Sequence, residues 1–160
     1  MYQYYNDLIP QSICKDLISF FEDLPSIYQK KWGNRVITTS ANILLQNKTL
    51  IQTLFFLNNI ALANNNLKLY PEWVELVKWP QGSLQDPHVD VSRNSTKYTS
   101  ITYLNNNYKG GKTFFTLDNS SSKNNIGDTI MFDGIKHKHG VTPITKGTRY
   151  VLAVWYSDKI

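Results

Sequence analysis

Two histidines and an aspartate, widely separated in the chain, restrict the fold more than any other feature of this sequence. His88 and Asp90 are two positions apart, so on an extended strand their side chains project from the same face. His139 lies much later in the chain. The three side chains can meet only if the intervening residues fold back as an antiparallel sheet.

These residue types suit one kind of metal centre. Two imidazoles and one carboxylate occupy three positions around an octahedral ion and leave three open, as in non-heme Fe(II) oxygenases. His137 is a rival to His139, because it offers the same ligand two residues earlier. Arg149 follows, and a guanidinium can grip a carboxylate through two parallel hydrogen bonds.

The order of periodic segments predicts an α+β, mainly β, fold. Helical spacing of apolar residues predicts one helix from Pro10 to Leu24, capped by Ser12, and a second helix from Lys48 to Ala63. The remaining segments are expected to be a short edge strand at 2–5, a loop at 28–35, and strands at 36–45, 72–79, 98–104, 112–117 (the hairpin partner of 98–104), 129–132, 138–143 and 148–156. This pattern indicates a jelly roll with N-terminal helices packed on one sheet.

Composition sets limits on domain number, partners and compartment. A chain of 160 residues is expected to form a single domain (1–160), with helical support at about 10–65 and a catalytic core at about 67–157. The net charge of +5 comes from scattered lysines, which indicates a solvated surface rather than a nucleic-acid site. A single cysteine, Cys14, and the lack of a signal peptide or membrane-spanning segment favour the cytoplasm and no membrane partner.

The segment from Val74 to Tyr156 resembles the catalytic core of the 2-oxoglutarate- and Fe(II)-dependent oxygenases. Its nearest likeness is to the branch of prolyl 4-hydroxylases and hypoxia-sensing prolyl hydroxylases. Five strings carry the resemblance, in the family's order: WPQGSLQDPHVD, ITYLNNNYKGGKTFF, GDTIMFDG, HGVTPITKG and TRYVLAVWY. The resemblance implies a double-stranded β-helix with iron at one mouth.

The resemblance also implies roles for individual residues. His88, Asp90 and His139 match the iron ligands, and the distance to Pro143 and Arg149 favours His139 over His137. Arg149 and Tyr103 match residues that bind the far carboxylate of 2-oxoglutarate. Thr99, Trp79 and Trp155 are further candidates for the cosubstrate pocket. For Tyr103 and Trp155, a purely structural place in the core is an equal alternative.

Two positions depart from the family's pattern. Trp79 stands where a tyrosine near the cosubstrate is common, and an indole N–H can donate but not accept a hydrogen bond. Lys112 stands after Gly110-Gly111, where an acidic residue is common. We expect Lys112 to flank the pocket and to alter its preference for substrate charge.

The function implied is hydroxylation of an unactivated C–H bond with Fe(II), 2-oxoglutarate and O2, releasing succinate and CO2, with ascorbate a candidate reductant. Asp90 favours hydroxylation, because family members that halogenate lack this carboxylate. The branch implies a prolyl residue of a peptide or protein as substrate, chosen by loops 28–42, 91–97 and 119–126. Alternatives are a small molecule such as a free amino acid, a nucleic-acid base, and a non-catalytic jelly-roll binding module. A nucleic-acid base is a less favoured substrate, because Trp155 stands where the nucleic-acid demethylases of the superfamily carry a second arginine.

Overall fold

The computed structural model describes residues 2–33, 35–38, 44–64, 68–90 and 96–158. The helices are α1 (Gln11–Asp23), α2 (Lys48–Ala63) and a 3-10 helix (Ser26–Tyr28). The strands are β1 (Gln3–Tyr5), β2 (Gln29–Trp32), β3 (Arg35–Thr38), β4 (Tyr70–Trp79), β5 (Gln85–His88), β6 (Thr96–Tyr103), β7 (Lys109–Gly110), β8 (Thr113–Phe115), β9 (Thr129–Phe132), β10 (His139–Val141), β11 (Ile144–Lys146) and β12 (Arg149–Ser157).

The strands form a large sheet and two small ones. The large sheet has the order β1-β9-β6-β12-β4-β3-β2, with every neighbouring pair antiparallel. The small sheets have the orders β5-β10-β8 and β11-β7. Neighbours in the sheets are mostly distant in sequence, as in a double-stranded β-helix. The predicted fold class, a mainly β jelly roll with N-terminal helices, is confirmed.

Alternation along the central strand β12 separates two apolar clusters. Leu152, Val154 and Tyr156 pack in the cluster that includes both helices. Val151 points to the opposite face, into the cluster that includes residues of the small sheets. Because successive side chains of a strand project to opposite faces, one face of the large sheet binds the helices. The other face forms the interior of the jelly roll.

The two helices match their predicted positions, but one cap is different. Helix α2 runs from Lys48 to Ala63 as predicted, and the side chain of Asn47 accepts a hydrogen bond from the backbone N–H of Leu50 at 2.9 Å. Ser12 is not the cap of α1: Pro10 occupies that position and no side chain caps the helix. Pro10 begins the helix through its backbone: its ring fixes φ, at −54°, and its carbonyl accepts a hydrogen bond from the N–H of Cys14 at 3.1 Å. Among the described residues, no helix is long and apolar enough to cross a membrane.

Three strand predictions need correction. The predicted loop at 28–35 is wrong at residues 29–32 and at Arg35, because these belong to β2 and β3, which pair as antiparallel neighbours. Leu44 and Leu45 are not in a strand, and residues 39–43 of the predicted strand 36–45 lie outside the described residues. Strand β8 is not the partner of β6, since it pairs with β10 in the small sheet. The chain crosses between sheets after β6, which is long-range topology that local turn signals do not specify.

Candidate metal centre and cosubstrate pocket

A cavity of about 430 Å³ lies between the large sheet and the three-stranded sheet. All four tryptophans of the chain line it: Trp32, Trp73, Trp79 and Trp155. The charged side chains on its wall come from different strands: Lys30, Arg35, Glu75, Asp90 and Arg149. The cavity therefore combines an aromatic wall with a few charged groups, as small-ligand sites commonly do.

Strand pairing brings the two distant segments of the metal-binding motif together. His139 on β10 is the direct register partner of His88 on β5. Asp90 follows β5, and its Oδ1 lies 3.5 Å from Nε2 of His88 and 3.8 Å from Nε2 of His139. One ligand atom from each residue lies within 4.8 Å of the others. The three side chains therefore meet, as the sequence predicted.

Backbone carbonyls orient both imidazoles for metal binding. Nδ1 of His88 lies 3.0 Å from the carbonyl oxygen of Asp86, and Nδ1 of His139 lies 2.9 Å from that of His137. A carbonyl can only accept, so each Nδ1 carries a proton, and each Nε2 faces Asp90; in the neutral imidazole this is the Nδ1–H tautomer. This tautomer is the one that an Nε2 metal ligand requires.

Asp90 is held as an ionised ligand by its surroundings. Thr99 donates a hydrogen bond to Oδ2 at 2.6 Å, and the backbone N–H of Asp90 donates to the carbonyl of Gly134 at 2.9 Å. A Cβ at Gly134 would lie 2.7 Å from Oγ1 of Thr99, so a larger residue would disturb this contact. Burial raises the pKa of Asp90, but hydrogen bonds from His88 and Thr99 and the charge of His139 outweigh burial and lower it.

His137 has a different place from His139. It precedes β10, and its ring contacts the rings of Phe115 and Phe132 at 6.2 and 6.4 Å between centroids. It does not belong to the cluster of possible metal ligands found among the described residues. Its backbone carbonyl nevertheless orients His139.

Arg149 begins β12 at the other end of the cavity. Arg149 is 1% exposed, and its Nη2 donates a hydrogen bond to Oγ1 of Thr113 at 3.2 Å. Among the described residues, its Nε and Nη1 are buried without a hydrogen-bond partner. Unpaired buried donors are costly. The unpaired N–H donors of this buried guanidinium can bind an anionic oxygen, and so the site fits the far carboxylate of 2-oxoglutarate.

Tyr103 and Trp79 lie beside this guanidinium. The centre of the Arg149 guanidinium is 5.4 Å from the Tyr103 ring and 5.2 Å from the Trp79 ring. The hydroxyl of Tyr103 donates to Thr113 at 2.8 Å, and burial raises the pKa of Tyr103. The indole N–H of Trp79 is buried and has no partner in the described part of the chain. Trp79 therefore offers another donor in this region.

The remaining predicted positions divide between cavity and surface. Thr99 and Trp155 line the cavity, and Thr99 reaches it as the hydrogen-bond donor to Asp90. Lys112 does not line it: its side chain is exposed and its backbone N–H donates to Oγ1 of Thr142. Lys112, which was expected to flank the pocket, is therefore not among the residues that line the cavity.

Four residues near the site escaped the sequence analysis. Thr113 links Arg149 to Tyr103, and Tyr108 has a buried hydroxyl without a partner among the described residues; burial raises its pKa to about 12. Arg35 and Glu75 add a cation and an anion to the cavity wall. Period-two alternation from Trp79 along β4 is a signal that could have placed Glu75 on the cavity face. No such signal existed for Arg35, whose segment was predicted to be a loop.

Comparison with known proteins agrees with this geometry. A family model described as the 2OG-Fe(II) oxygenase superfamily matches residues 74–157, just over half of the chain. That family uses iron, 2-oxoglutarate and O2. The two histidines and the aspartate fit iron, and the guanidinium with unpaired nitrogens fits 2-oxoglutarate. The matched span includes every residue that the motifs suggested as a ligand of the metal or of the cosubstrate.

Individual relatives belong to the prolyl hydroxylases. Prolyl 3-hydroxylase 3 of Homo sapiens is 33% identical over 66 residues, a match that covers 38% of this chain and only 9% of that protein. A prolyl-4-hydroxylase from Pseudomonas putida has a TM-score of 0.82 at 16% identity, with 99% of this chain and 93% of that chain covered. A prolyl hydroxylase from Trichoplax adhaerens, solved with a hypoxia inducible factor peptide fragment, has a TM-score of 0.80 at 16% identity, with 98% and 83% covered. At these identities the solved structures establish the fold.

Proposed function

Since the chain belongs to the 2OG-Fe(II) oxygenase superfamily, we propose that it is a dioxygenase that hydroxylates a prolyl residue of a peptide or protein. The reaction would consume 2-oxoglutarate and O2 and release succinate and CO2. One observation carries the proposal: a cluster of two histidines and an aspartate shares one cavity with a buried guanidinium that has two unpaired nitrogens. The finer assignment to the 4 position of proline rests on the likeness to prolyl 4-hydroxylases, whereas the curated relative is a prolyl 3-hydroxylase.

Each part of the cavity has an assigned task. His88, Asp90 and His139 would hold Fe(II), which supplies the oxidising chemistry when cosubstrate and O2 are bound. Arg149 would bind the far carboxylate of 2-oxoglutarate, with Trp79 closing that end of the cavity. Tyr103 supports this position through Thr113.

The aromatic wall has a further task in the proposed reaction. Trp155 lies directly across β12 and β6 from Thr99, which holds Asp90. A large indole beside the metal ligands excludes water from the place where the substrate C–H bond would lie. Exclusion of water strengthens electrostatic contacts and limits side reactions.

The proposal also covers domain organisation and location. We propose that residues 1–160 act as a single domain, because the helices share one apolar cluster with β4 and β12 of the core. Helical residues at about 10–65 would support a catalytic core at about 67–157. A single free and buried cysteine, Cys14, supports a reducing compartment such as the cytoplasm.

The test is turnover with mass-spectrometric detection. Purified protein with Fe(II) and 2-oxoglutarate, with and without ascorbate, is expected to form succinate and to add one oxygen to proline-containing peptides. His88→Ala is the inactive control. Fragmentation of the product identifies the hydroxylated carbon, and comparison of cells that express wild type or His88→Ala identifies native targets. Failure to bind metal and to form succinate under every condition would support the non-catalytic jelly-roll module instead.

A further inference from the structure

A buried carboxylate on the cavity wall has no role in binding iron or 2-oxoglutarate. Glu75 lies on β4 and is 8% exposed. Its Oε1 accepts one hydrogen bond, from the indole N–H of Trp73 at 2.9 Å. Within the described residues it forms no ion pair, and Arg35 and Lys30 act on it only through longer-range charge. Burying a carboxylate with a single neutral donor is unfavourable, so the position is costly unless a ligand completes it.

The position of Glu75 relative to the metal ligands follows from strand register. Ala153 on β12 pairs with both Glu75 on β4 and Ile101 on β6, so these three residues form one row across the sheet. The row spans two strand spacings, or about 10 Å. The next row toward the metal ligands contains Thr99, which binds Asp90. Glu75 is therefore within two or three extended residues of the reaction centre.

The small side chain of Ala153 leaves Glu75 open toward the metal centre. Ala153 lies between Glu75 and Ile101, and all three line the cavity. A larger residue at position 153 would screen the carboxylate from a substrate bound near Asp90. With alanine, a substrate group can approach Glu75 along the floor of the cavity.

Two indoles lie next to the carboxylate, on its side toward the metal ligands. Trp155 and Trp73 are register partners in the row next to Glu75, and both line the cavity. Indole faces attract cations, and the attraction increases when the cation is removed from water. A carboxylate beside two indoles is therefore suited to a positively charged nitrogen.

Two of the three cations on the cavity wall have other contacts, and the third, Lys30, acts on Glu75 only through longer-range charge. Nη1 of Arg35 donates to Gln85 at 2.7 Å, and its guanidinium lies 3.3 Å from the ring centre of Trp32 and 4.7 Å from that of Trp79. Arg149 donates to Thr113 at the cosubstrate end. Neither forms an ion pair with Glu75 in the described structure, so its carboxylate remains available to a ligand.

We propose that Glu75, Trp73 and Trp155 form a subsite for a positively charged nitrogen of the substrate, within a few residues of the hydroxylated carbon. This inference rests on the proposed function, because it concerns the substrate of the same cavity. The nitrogen has two possible sources: a lysine or arginine side chain near the proline of a peptide, or the amine of a free amino acid. In both cases Glu75 is a specificity-determining residue and not a metal ligand.

Equilibrium binding tests the subsite without turnover. The protein is loaded with Mn(II) and 2-oxoglutarate under anaerobic conditions, and binding is followed by the fluorescence of the four tryptophans, all of which line the cavity. The probes are matched pairs: a proline peptide with a neighbouring lysine or norleucine, free L-proline or N-acetyl-L-proline, and n-butylammonium or 1-butanol. We expect wild type to prefer the charged member of at least one substrate pair by about 10-fold.

The variant Glu75→Gln is expected to reduce that preference to less than about twofold. Glu72→Gln is the matched control, since Glu72 is on the same strand, is only partly buried and does not line the cavity, and it is expected to keep the preference. Equal preference in wild type and Glu75→Gln would overturn the subsite. So would weaker binding of charged and neutral members by the same factor, which would mean that Glu75 only balances Arg35.

The n-butylammonium pair separates this inference from the proposed function. If butylammonium binds wild type but not Glu75→Gln while no proline peptide is hydroxylated, the subsite is correct and the prolyl substrate is wrong. If proline peptides are hydroxylated with no charge preference, the proposed function is correct and the subsite is wrong. Comparison of the peptide and free-proline pairs identifies the source of the nitrogen.

Discussion

Two arginines contact the ring of Trp79 but occupy very different parts of the fold. Arg149 is on the central strand β12, is almost completely buried, and has two unpaired guanidinium nitrogens. Arg35 is on β3, one strand from the edge of the sheet, is partly exposed, and reaches Gln85 on the facing sheet. The guanidinium centre of Arg149 lies 5.2 Å from the centre of the Trp79 ring, and that of Arg35 lies 4.7 Å from it.

The different positions of the two arginines indicate which residues serve the reaction common to the family and which ones select the substrate. Central strands have neighbours on both sides, so a side chain such as that of Arg149 is held in one position by the packing around it. A hairpin at the sheet edge has fewer constraints, and its residues can vary without disturbing the core. We infer that the metal ligands and Arg149 serve iron and 2-oxoglutarate, whereas the part of the cavity wall that contains Arg35 and Glu75 contacts the substrate. Pairs of identical residue types, one enclosed and one peripheral, allow this inference to be tested.

The largest expected difference is between the two neighbouring histidines. Removal of a metal ligand costs more than the roughly 10–100-fold loss in affinity seen for outer-shell partners. His139→Ala is therefore expected to weaken Mn(II) or Fe(II) binding by more than about 100-fold, whereas His137→Ala keeps the backbone carbonyl that orients His139 and should remain within about 10-fold. Isothermal titration calorimetry measures both. The reverse result would reassign the third ligand to His137.

The two arginines are expected to differ in their effect on 2-oxoglutarate. Loss of a buried charged partner costs about 2–5 kcal/mol, so Arg149→Gln should raise the Kd and KM for 2-oxoglutarate by at least about 30-fold. Arg35→Gln should change them by less than about threefold, because its guanidinium hydrogen-bonds Gln85 and lies against the ring of Trp32 rather than among the residues assigned to the far carboxylate. Direct binding and succinate formation measure the effect, with circular dichroism to verify folding. Equal effects of the two variants would remove the distinction between the two ends of the cavity.

A smaller difference is expected between two threonines of β6. Thr99 donates to Asp90, whereas Thr96 donates to Glu72 near the start of the same strand. Thr99→Val keeps the shape of the side chain but removes the donor, so metal affinity is expected to fall by about 10-fold. Thr96→Val is expected to leave metal affinity unchanged. A similar loss in both variants would indicate a general effect of the strand rather than support of Asp90.

The sequence was sufficient to predict the enclosed residues because their chemistry and spacing are restrictive. His88 and Asp90 are adjacent on one face of a strand, and Arg149 begins a long apolar strand. Helix α2 was predictable at both ends, since its apolar spacing is regular and Asn47 is a good cap. These features depend on local sequence and need little knowledge of long-range pairing.

The peripheral residues were not predictable for a physical reason. Strand β2 has a polar sequence and exists because it pairs with β3, which pairs with β4. Tertiary pairing therefore overrides the weak local preference, as is common for strands. The role of Glu75 was missed for another reason. Alternation places it on the face of β4 that it shares with Trp79, but only the folded sheet shows that Trp73 and Trp155 line the cavity beside it. The position of Arg35 requires both pieces of information.

The smallest expected effect concerns the two glutamates of β4 and the pH dependence of stability. Burial raises the pKa of Glu75, although the hydrogen bond from Trp73 and the charges of Arg35 and Lys30 oppose the shift. A carboxyl group with a raised pKa in the folded state stabilises the fold at low pH, and this contribution is lost as pH rises through that pKa. Glu75→Gln does not titrate at this position. Its Tm is therefore expected to exceed that of wild type at pH 7.

The Tm difference should close as pH falls below about 4.3, the ordinary pKa of glutamate, since wild type is then protonated in both states. Glu72→Gln should show a smaller change, because Glu72 is less buried than Glu75 and an amide oxygen can still accept the hydrogen bond from Thr96. Thermal unfolding by circular dichroism between pH 4 and pH 8 measures both variants. A wild type that is more stable than Glu75→Gln at pH 7 would mean that the carboxylate is already paired in the free protein. A less stable wild type would mean that the chain keeps an unfavourable charge in its cavity, which is the expected cost of a group that binds a ligand.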